Sequence, residues 1–429
     1  MQVQVGMAAL LLALPAACYS PSAAVGVPCS AAGECPSGQH CDLGTTPPTC
    51  VVGDAPPVDA APDAPASCAA GASCPADAPI CEVATGTCRG CVADTECGDN
   101  VCVEHLGECV DAANTLFVAD TGTGLDPCTR AAPCSLDHAL SLVANNQRTI
   151  AIADGVYSGS VSIKSDFGAN ALTLSGPDRD PAGVTIAGTV LVENTTRPVT
   201  IEGVTILVSG LRAVDNRGEL TLSRVVVTGA ATGVVSTNPN TLRIWDSRIR
   251  DNQTIGIDVT QTSLELLRTV VSGNGGGVDI RNAASTIEST VIADNGSVFS
   301  AIGGIRFQNL NDKPQVFRFN TVTGNASLAG VSVTCGDPVA LDSSIFTVST
   351  GSPLGTGCTA TYSLFAATPP AGEGNVMGDP AFVGADDFHI GPTSAARDAA
   401  DPAATVELDI DGEARPQGPA RDIGADEIP

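Results

Sequence analysis

Three charged residues recur at one place in a short repeated pattern. Asp258, Asp279 and Arg306 each follow directly on a Gly-apolar pair, in Gly256-Ile257-Asp258, Gly277-Val278-Asp279 and Gly304-Ile305-Arg306. If the copies stack as strands, neighbouring carboxylates stand about 5 Å apart. Carboxylates at that separation can share a proton, hold Ca2+, or serve as the acid and nucleophile of a retaining glycosidase. Arg306 in the same column offers a simpler outcome, a solvated strand face on which a cation offsets two acids. A second acidic set gathers near the C-terminus: Asp409, Asp411 and Asp422, with Asp426 and Glu427. Carboxylate oxygens in a glycine-bearing loop suit Ca2+, although their spacing is not that of an EF-hand; otherwise the set is structural and the chain needs no cofactor. Four histidines without an HExxH pattern give no support to metalloprotease chemistry. No nucleophile-elbow motif is present, so a Ser-His-Asp triad would have to assemble from distant positions.

The elements that would position these residues are legible in the repeat. TLRIWDSRIRDN, SLELLRTVVSGN, STIESTVIADN and QVFRFNTVTGN end at Asn252, Asn274, Asn295 and Asn325, at intervals of 22, 21 and 30 residues. Ile244, Leu266, Ile287 and Phe317 stand eight places before each Asn, and Ile249, Val271, Ile292 and Val322 three places before. Beyond the Asn come Gly256-Ile257, Gly277-Val278, Gly304-Ile305 and Gly330-Val331. Short strands at a period near 22 residues predict an all-β fold, a right-handed parallel β-helix in which each coil stacks on the last. Inward Val, Ile and Leu share one core, equivalent Asn residues form an amide ladder, and Gly permits the corner. The wider intervals place extra residues in turns around Ser297–Ala301 and Asn309–Pro314. Cys335 and Cys358, 23 residues apart, are close to one repeat and should bond between neighbouring coils.

Upstream of Thr115 the chain is built differently. Residues 6–17 form an apolar run of signal-peptide length, and 1–17 reads as an export signal. The chain has 17 cysteines; setting Cys18 aside leaves clusters of four, eight, two and two, all even. An even remainder suits disulfides in an oxidising compartment, with Cys18 carrying a lipid. Residues 18–50 form one Cys-rich module and 68–110 two more, too small to bury a sufficient core without staples. Between them, 51–67 alternates Pro, Ala and Asp, as a semi-rigid acidic spacer does. The β-helix is expected over 111–365 and a segment closing it over 366–429.

Several resemblances add to this reading. LPAAC at Cys18 resembles the lipobox of bacterial lipoproteins, although Pro15 replaces the usual Leu and no Lys or Arg precedes the apolar run. LFVADTGTGLDPCTRAAPCSLDHALSLV followed by TIAIADGVYSG resembles the opening of bacterial β-helix proteins of the pectin-lyase-like superfold. That implies a capping helix with Asp137, Ala139 and Leu140, a first coil with Gly155 and Tyr157, and a Cys128–Cys134 pair bracketing the preceding loop. GDPAFVGADDFHIGPTSAARDAADP and DIDGEARPQGPARDIGADE resemble the terminal segment of secreted choice-of-anchor and polymorphic-outer-membrane-like β-helix proteins. The likeness spans roughly the last 315 residues and implies fold and export; the superfold hosts many activities.

Function is bounded less tightly. A formal charge of −27 argues against nucleic acid and against electrostatic binding to an anionic membrane, leaving an N-terminal lipid as the route to a membrane. Two classes remain. One is an exported, surface-anchored β-helix lipoprotein that binds polysaccharide or another surface protein, or has a structural role. The other is a polysaccharide lyase or glycoside hydrolase acting on the β-helix face. The missing Gly-His-Gly motif and the 3 % aromatic content favour the first.

Overall fold

A computed structural model describes residues 39–42, 49–52, 68, 74–103, 106–143, 148–164, 171–177, 181–193, 197–348 and 351–429. The signal segment, Cys18, Cys29, Cys35 and the spacer beyond Val52 lie outside the described residues. The chain divides into two units, Met1–Ala66 and Ser67–Pro429. In the first, Gln39–Asp42 and Thr49–Val52 pair antiparallel with Cys41 opposite Cys50.

The second unit begins with two stapled hairpins. Ile80–Glu82 pairs with Thr87–Arg89, and Val101–Val103 with Glu108–Val110. Disulfides join Cys68 to Cys81 and Cys74 to Cys88, then Cys91 to Cys102 and Cys97 to Cys109. Each module thus links its first cysteine to its third and its second to its fourth. Directly opposed hairpin cysteines send their bonds to separate upstream loops, which ties three stretches together in place of a core. Closing loops of this length stabilises by about 3 kcal/mol each on the chain-entropy account. Arg130 then docks the second module on the first coil: it donates to the carbonyls of Asp99 and Asn100 and lies 4.7 Å from the centre of the Phe117 ring.

The rest of this unit winds into three parallel sheets, so the fold is all-β, a right-handed parallel β-helix. The first sheet has eleven strands, from Thr115–Thr123 to Cys358–Thr361. The second has eleven, from Gly155–Ser158 to Val376–Met377, and the third nine, from Val161–Ile163 to Ser352–Leu354. Each coil visits them in that order. Strands run past residue 365, because Val376–Met377 still pairs with Leu364–Phe365. Helix Leu136–Leu142 lies at the opening coil; Ser135 accepts the His138 N–H as its cap, and Leu136, Ala139 and Leu140 are buried. Cys128 and Cys134 bracket the loop before it, bonded to each other.

Stacking is residue on residue. Leu222, Ile244, Leu266, Ile287 and Phe317 form one inward column, and Val227, Ile249, Val271, Ile292 and Val322 another. Each fully buried aliphatic side chain contributes about 1.5–3 kcal/mol. In the last clear repeat the pattern slips by two: Ile305 pairs with Val333, not Val331. Ser327 closes a turn onto Val331, accepting its N–H and donating to its carbonyl, and Gly330 supplies a φ of 65° there. The turn consumes the two extra residues.

Two of the three corner types carry long buried polar columns. Asn252, Asn274, Asn295 and Asn325 stack between the second and third sheets, each Nδ2 donating to the next Oδ1 at 2.9, 2.9 and 3.0 Å. The same oxygens accept the main-chain N–H of the previous Asn, so each Oδ1 of Asn274, Asn295 and Asn325 takes two bonds. Ser247, Thr269, Thr290, Asn320, Ser344 and Ser363 form a second column, between the first and second sheets, for which the sequence offers no single letter. The residue before each of these six has positive φ, from 45° to 54°, whether Asp246, Arg268, Ser289, Phe319, Ser343 or Tyr362. A left-handed non-glycine residue costs roughly 1–2 kcal/mol, which the bonded corner offsets.

Cys335 and Cys358 are bonded, with Cα atoms 5.4 Å apart, but not as equivalent places. Cys335 ends a strand of the third sheet and Cys358 opens one of the first, stacked on Val339. The bond runs diagonally across the corner between them.

The terminal segment closes the helix along its side. Outward Val270, Val291 and Ala293 of the second sheet pack against Phe388, Ile410 and Ala425. Farther along, Ile345 and Leu364 pack with Ile390, Ala396, Val406 and Ile423. The Ala425 N–H donates to Thr321 Oγ1, the Gly424 N–H to the Ser343 carbonyl, and Ser289 Oγ to the Leu408 carbonyl. Apolar residues on both faces of these strands leave one face bare unless such a cover is present.

Candidate functional site

On the third sheet the register places Asp258, Asp279 and Arg306 in one column, continued by Thr334. The adjoining outward column runs Thr237, Thr260, Arg281, Gln308. Arg281 completes the charge balance, and the repeat spacing does not single it out. Arg306 grips Asp279 with two bonds, Nε to Oδ1 at 2.9 Å and Nη2 to Oδ2 at 2.7 Å. Arg281 reaches Asp279 Oδ2 at 3.2 Å through Nη1 and binds Asp258 through Nη2. The Asp279 side chain is 0 % exposed beneath these guanidinia. Burial raises the Asp258 carboxyl above its usual range, opposed by the Arg281 charge; the bond from Arg306 to Asp279 raises the Arg306 guanidinium. Both carboxylates are committed to arginine, so neither is placed as a free nucleophile or base.

The terminal acids divide. Asp422 is a backbone fastener: Oδ1 accepts the Asp398 N–H at 2.6 Å and Oδ2 the Ile428 N–H at 2.9 Å. Glu427 accepts from Asp422 and Gln417 and pairs with Arg415 at 3.2 Å, both side chains 0 % exposed. Arg415 also donates to the carbonyls of Asp422 and Gly424 and sits 4.9 Å from the Phe319 ring centre. The pair holds the cover together internally, and Arg415 reaches the coils through the Phe319 ring.

Asp411 belongs to another group, gathered around His389, and Asp409 accepts the Asp411 main-chain N–H. His389 Nδ1 meets Asp387, and Nε2 lies 2.7 Å from Asp411 Oδ2. Nitrogen and carboxylate atoms of His389, Asp411 and Asp426 all fall within 4.8 Å of one another. Partial burial pulls His389 down, but Asp387 and Asp411 outweigh it and push it up to about 9. Burial raises Asp426 and Asp409. The sequence places Asp426 among the terminal acids, yet no spacing rule joins His389 to Asp411, 22 residues on. A hint lies in adjacency: Phe388, Ile410 and Ala425, each one residue before His389, Asp411 and Asp426, pack on the same sheet.

Pockets are modest among the described residues. One cavity of about 220 Å³ is lined by Asp120, Ser135, Asp137 and Tyr157; another, of about 520 Å³, lies between the second Cys-rich module and the first coils, beside Val103, Leu106, Arg148 and Thr173. Neither contains a sequence-derived candidate.

No protein of curated function matches the chain. The family described as "Right handed beta helix region" matches residues 188–349, the coils that carry both the Asn ladder and the Asp-Arg column. Among solved structures the chain is similar to one titled "Crystal structure of pectate lyase Pel9A", with a TM-score of 0.53 and 15 % identity. The alignment covers 73 % of this chain and 96 % of that one. At that identity the likeness speaks for the fold, and with the family match and the three parallel sheets it makes the coiled region of this chain a right-handed β-helix.

Proposed function

We propose that the chain is an exported surface protein, anchored by lipid on Cys18, whose third sheet binds an extended polysaccharide without cleaving it. The observation that carries this reading is the pair of polar columns on that sheet. Asp258, Asp279, Arg306 and Thr334 run beside Thr260, Arg281 and Gln308, rung after rung along the helix axis. Rungs about 4.8 Å apart present hydrogen-bonding groups at a step comparable with that of an extended sugar chain. The ion pairs of this face, among the described residues, are made within the sheet, while the terminal segment covers the second sheet. Commitment of both carboxylates to arginine favours binding over glycosidic cleavage. Six disulfides among the described residues support an oxidising compartment and hence export.

The test is affinity electrophoresis of the protein against acidic and neutral polysaccharides, with product analysis of the same mixtures. Retardation by at least one polymer, weakened tenfold or more in Gln308→Ala with Arg281→Ala, and no new chain ends, is the expected result. New reducing or unsaturated ends that vanish in Asp279→Asn would replace it with the lyase or hydrolase reading. Absence of retardation by every polymer overturns it. Intact mass of membrane-extracted protein tests the anchor: a mature chain that lacks Cys18 removes it.

A further inference from the structure

We infer that His389, Asp411 and Asp426 form a binding site for a first-row divalent cation that fastens the terminal segment over the second sheet. The site is independent of the polysaccharide reading and lies on a different face. Its three residues come from three separate stretches, and the residue before each one packs on the coils: Phe388, Ile410 and Ala425 meet Val270, Val291 and Ala293. The scaffold therefore holds the ligand backbones in place before any ion arrives.

The chemistry of the set points to the ion class. Ligand atoms of the three residues already lie within 4.8 Å of one another. His389 Nδ1 faces the Asp387 carboxylate, an arrangement that fixes the ring and leaves Nε2 as donor, as in carboxylate–histidine–metal triads. A cation would take the place of the proton that Nε2 now shares with Asp411, and that proton would pass to solvent. One imidazole with two carboxylates suits Zn2+ or its neighbours better than Ca2+, which prefers an all-oxygen shell.

Asp409 supplies a separate observation. It is 1 % exposed, and its Oδ1 accepts the N–H groups of Asp411 and Glu413 at 3.0 and 2.7 Å. Its Oδ2 is buried with no hydrogen-bond partner. Through the Asp411 N–H, Asp409 is tied to the main chain of one ligand residue, and its charge also acts on Asp426. A buried carboxylate oxygen left without a donor is expensive unless a cation stands near it. Arg415 acts on Asp409 by charge, but its Nη1 and Nη2 are engaged by Glu427 and two carbonyls, and its buried Nε makes no hydrogen bond to Asp409.

Titration of the metal-stripped, full-length protein with ZnCl2, and separately with CaCl2, tests the site by calorimetry and by thermal unfolding. The expected result is one Zn2+ per chain, a melting temperature that rises with Zn2+, and no comparable response to Ca2+. His389→Asn should weaken Zn2+ binding at least tenfold and abolish the thermal response while leaving the circular dichroism spectrum unchanged. Asp411→Asn, on an exposed side chain, provides a second variant with the same expected loss, and Asp312→Asn, on a distant turn, should behave as wild type. Zn2+ affinity unaltered in both His389→Asn and Asp411→Asn, Ca2+ bound as tightly as Zn2+, or binding of neither ion overturns the inference.

Discussion

The coils and their terminal cover handle acidic residues in opposite ways. On the third sheet two carboxylates, Asp258 and Asp279, meet two guanidinia, Arg281 and Arg306, and the charge closes locally. On the cover, Asp387, Asp411 and Asp426 gather about one imidazole, and an oxygen of Asp409, which holds the Asp411 N–H, stays unpartnered. Repetition explains the difference. In a stacked coil each side chain has a neighbour one repeat away, so a compensating residue needs only the right register. The cover has no repeat, and its acids are brought together by packing on a hydrophobic face. A balanced column reads as structure or as a binding surface; an unbalanced cluster invites a ligand.

The comparison can be broken most forcefully at the buried ion pair inside the cover. Arg415→Ala leaves Glu427 buried without its partner, and loss of about 3–5 kcal/mol is expected. Urea unfolding should show the terminal segment released before the coils; a single transition at the wild-type midpoint would mean the cover does not depend on that pair.

Next in size is the Asn ladder within the coils. Asn274→Leu deprives Asn252 of its acceptor for both the main-chain and side-chain N–H, and Asn295 of a donor. Each orphaned buried group costs roughly 1–3 kcal/mol. Thermal unfolding should register the loss in the coils and leave the cover's Zn2+ response intact.

A smaller effect is expected at Asp258→Asn. Its partner Arg281 retains Asp279, and the Asp258 side chain is 21 % exposed, so about 1 kcal/mol or less should be lost in a denaturant midpoint. A loss as large as that of Arg415→Ala would show the column to be less redundant than its geometry implies. The smallest effect belongs to Gln253→Ala. Gln253 adjoins the ladder but faces solvent, and less than about 0.5 kcal/mol should change. Equal melting temperatures for the Gln253 and Asn274 variants would deny the ladder its stabilising role.

Much of the coil region was legible in the letters because stacking converts sequence period into spatial neighbourhood. Asn252, Asn274 and Asn295 recur in phase, and so do the apolar columns and the Asp258–Asp279–Arg306 place. What escaped shares a physical cause. Arg281 sits two residues beyond Asp279, outside the repeated position, yet a long guanidinium spans both columns. The Ser247–Ser363 corner column varies among Ser, Thr and Asn because any short side-chain oxygen can accept the stacked N–H, so no single letter repeats. Val331 was displaced by Val333 because a turn absorbed two residues that periodicity assigns to the strand.

By itself the sequence determined the solenoid, its period, its inward faces and the even cysteine clusters, since each depends on local pattern or count. Tertiary structure alone decided which cysteines pair within the small modules, where loops without periodicity come together. It also decided that residues beyond 377 lie along the second sheet and not across its end, because outward Val270, Val291, Ile345 and Leu364 needed a cover. The meeting of His389 with Asp411 and Asp426 follows from that docking. Their neighbours Phe388, Ile410 and Ala425 are held by one hydrophobic face, and no spacing in the chain encodes a distance that such a face imposes.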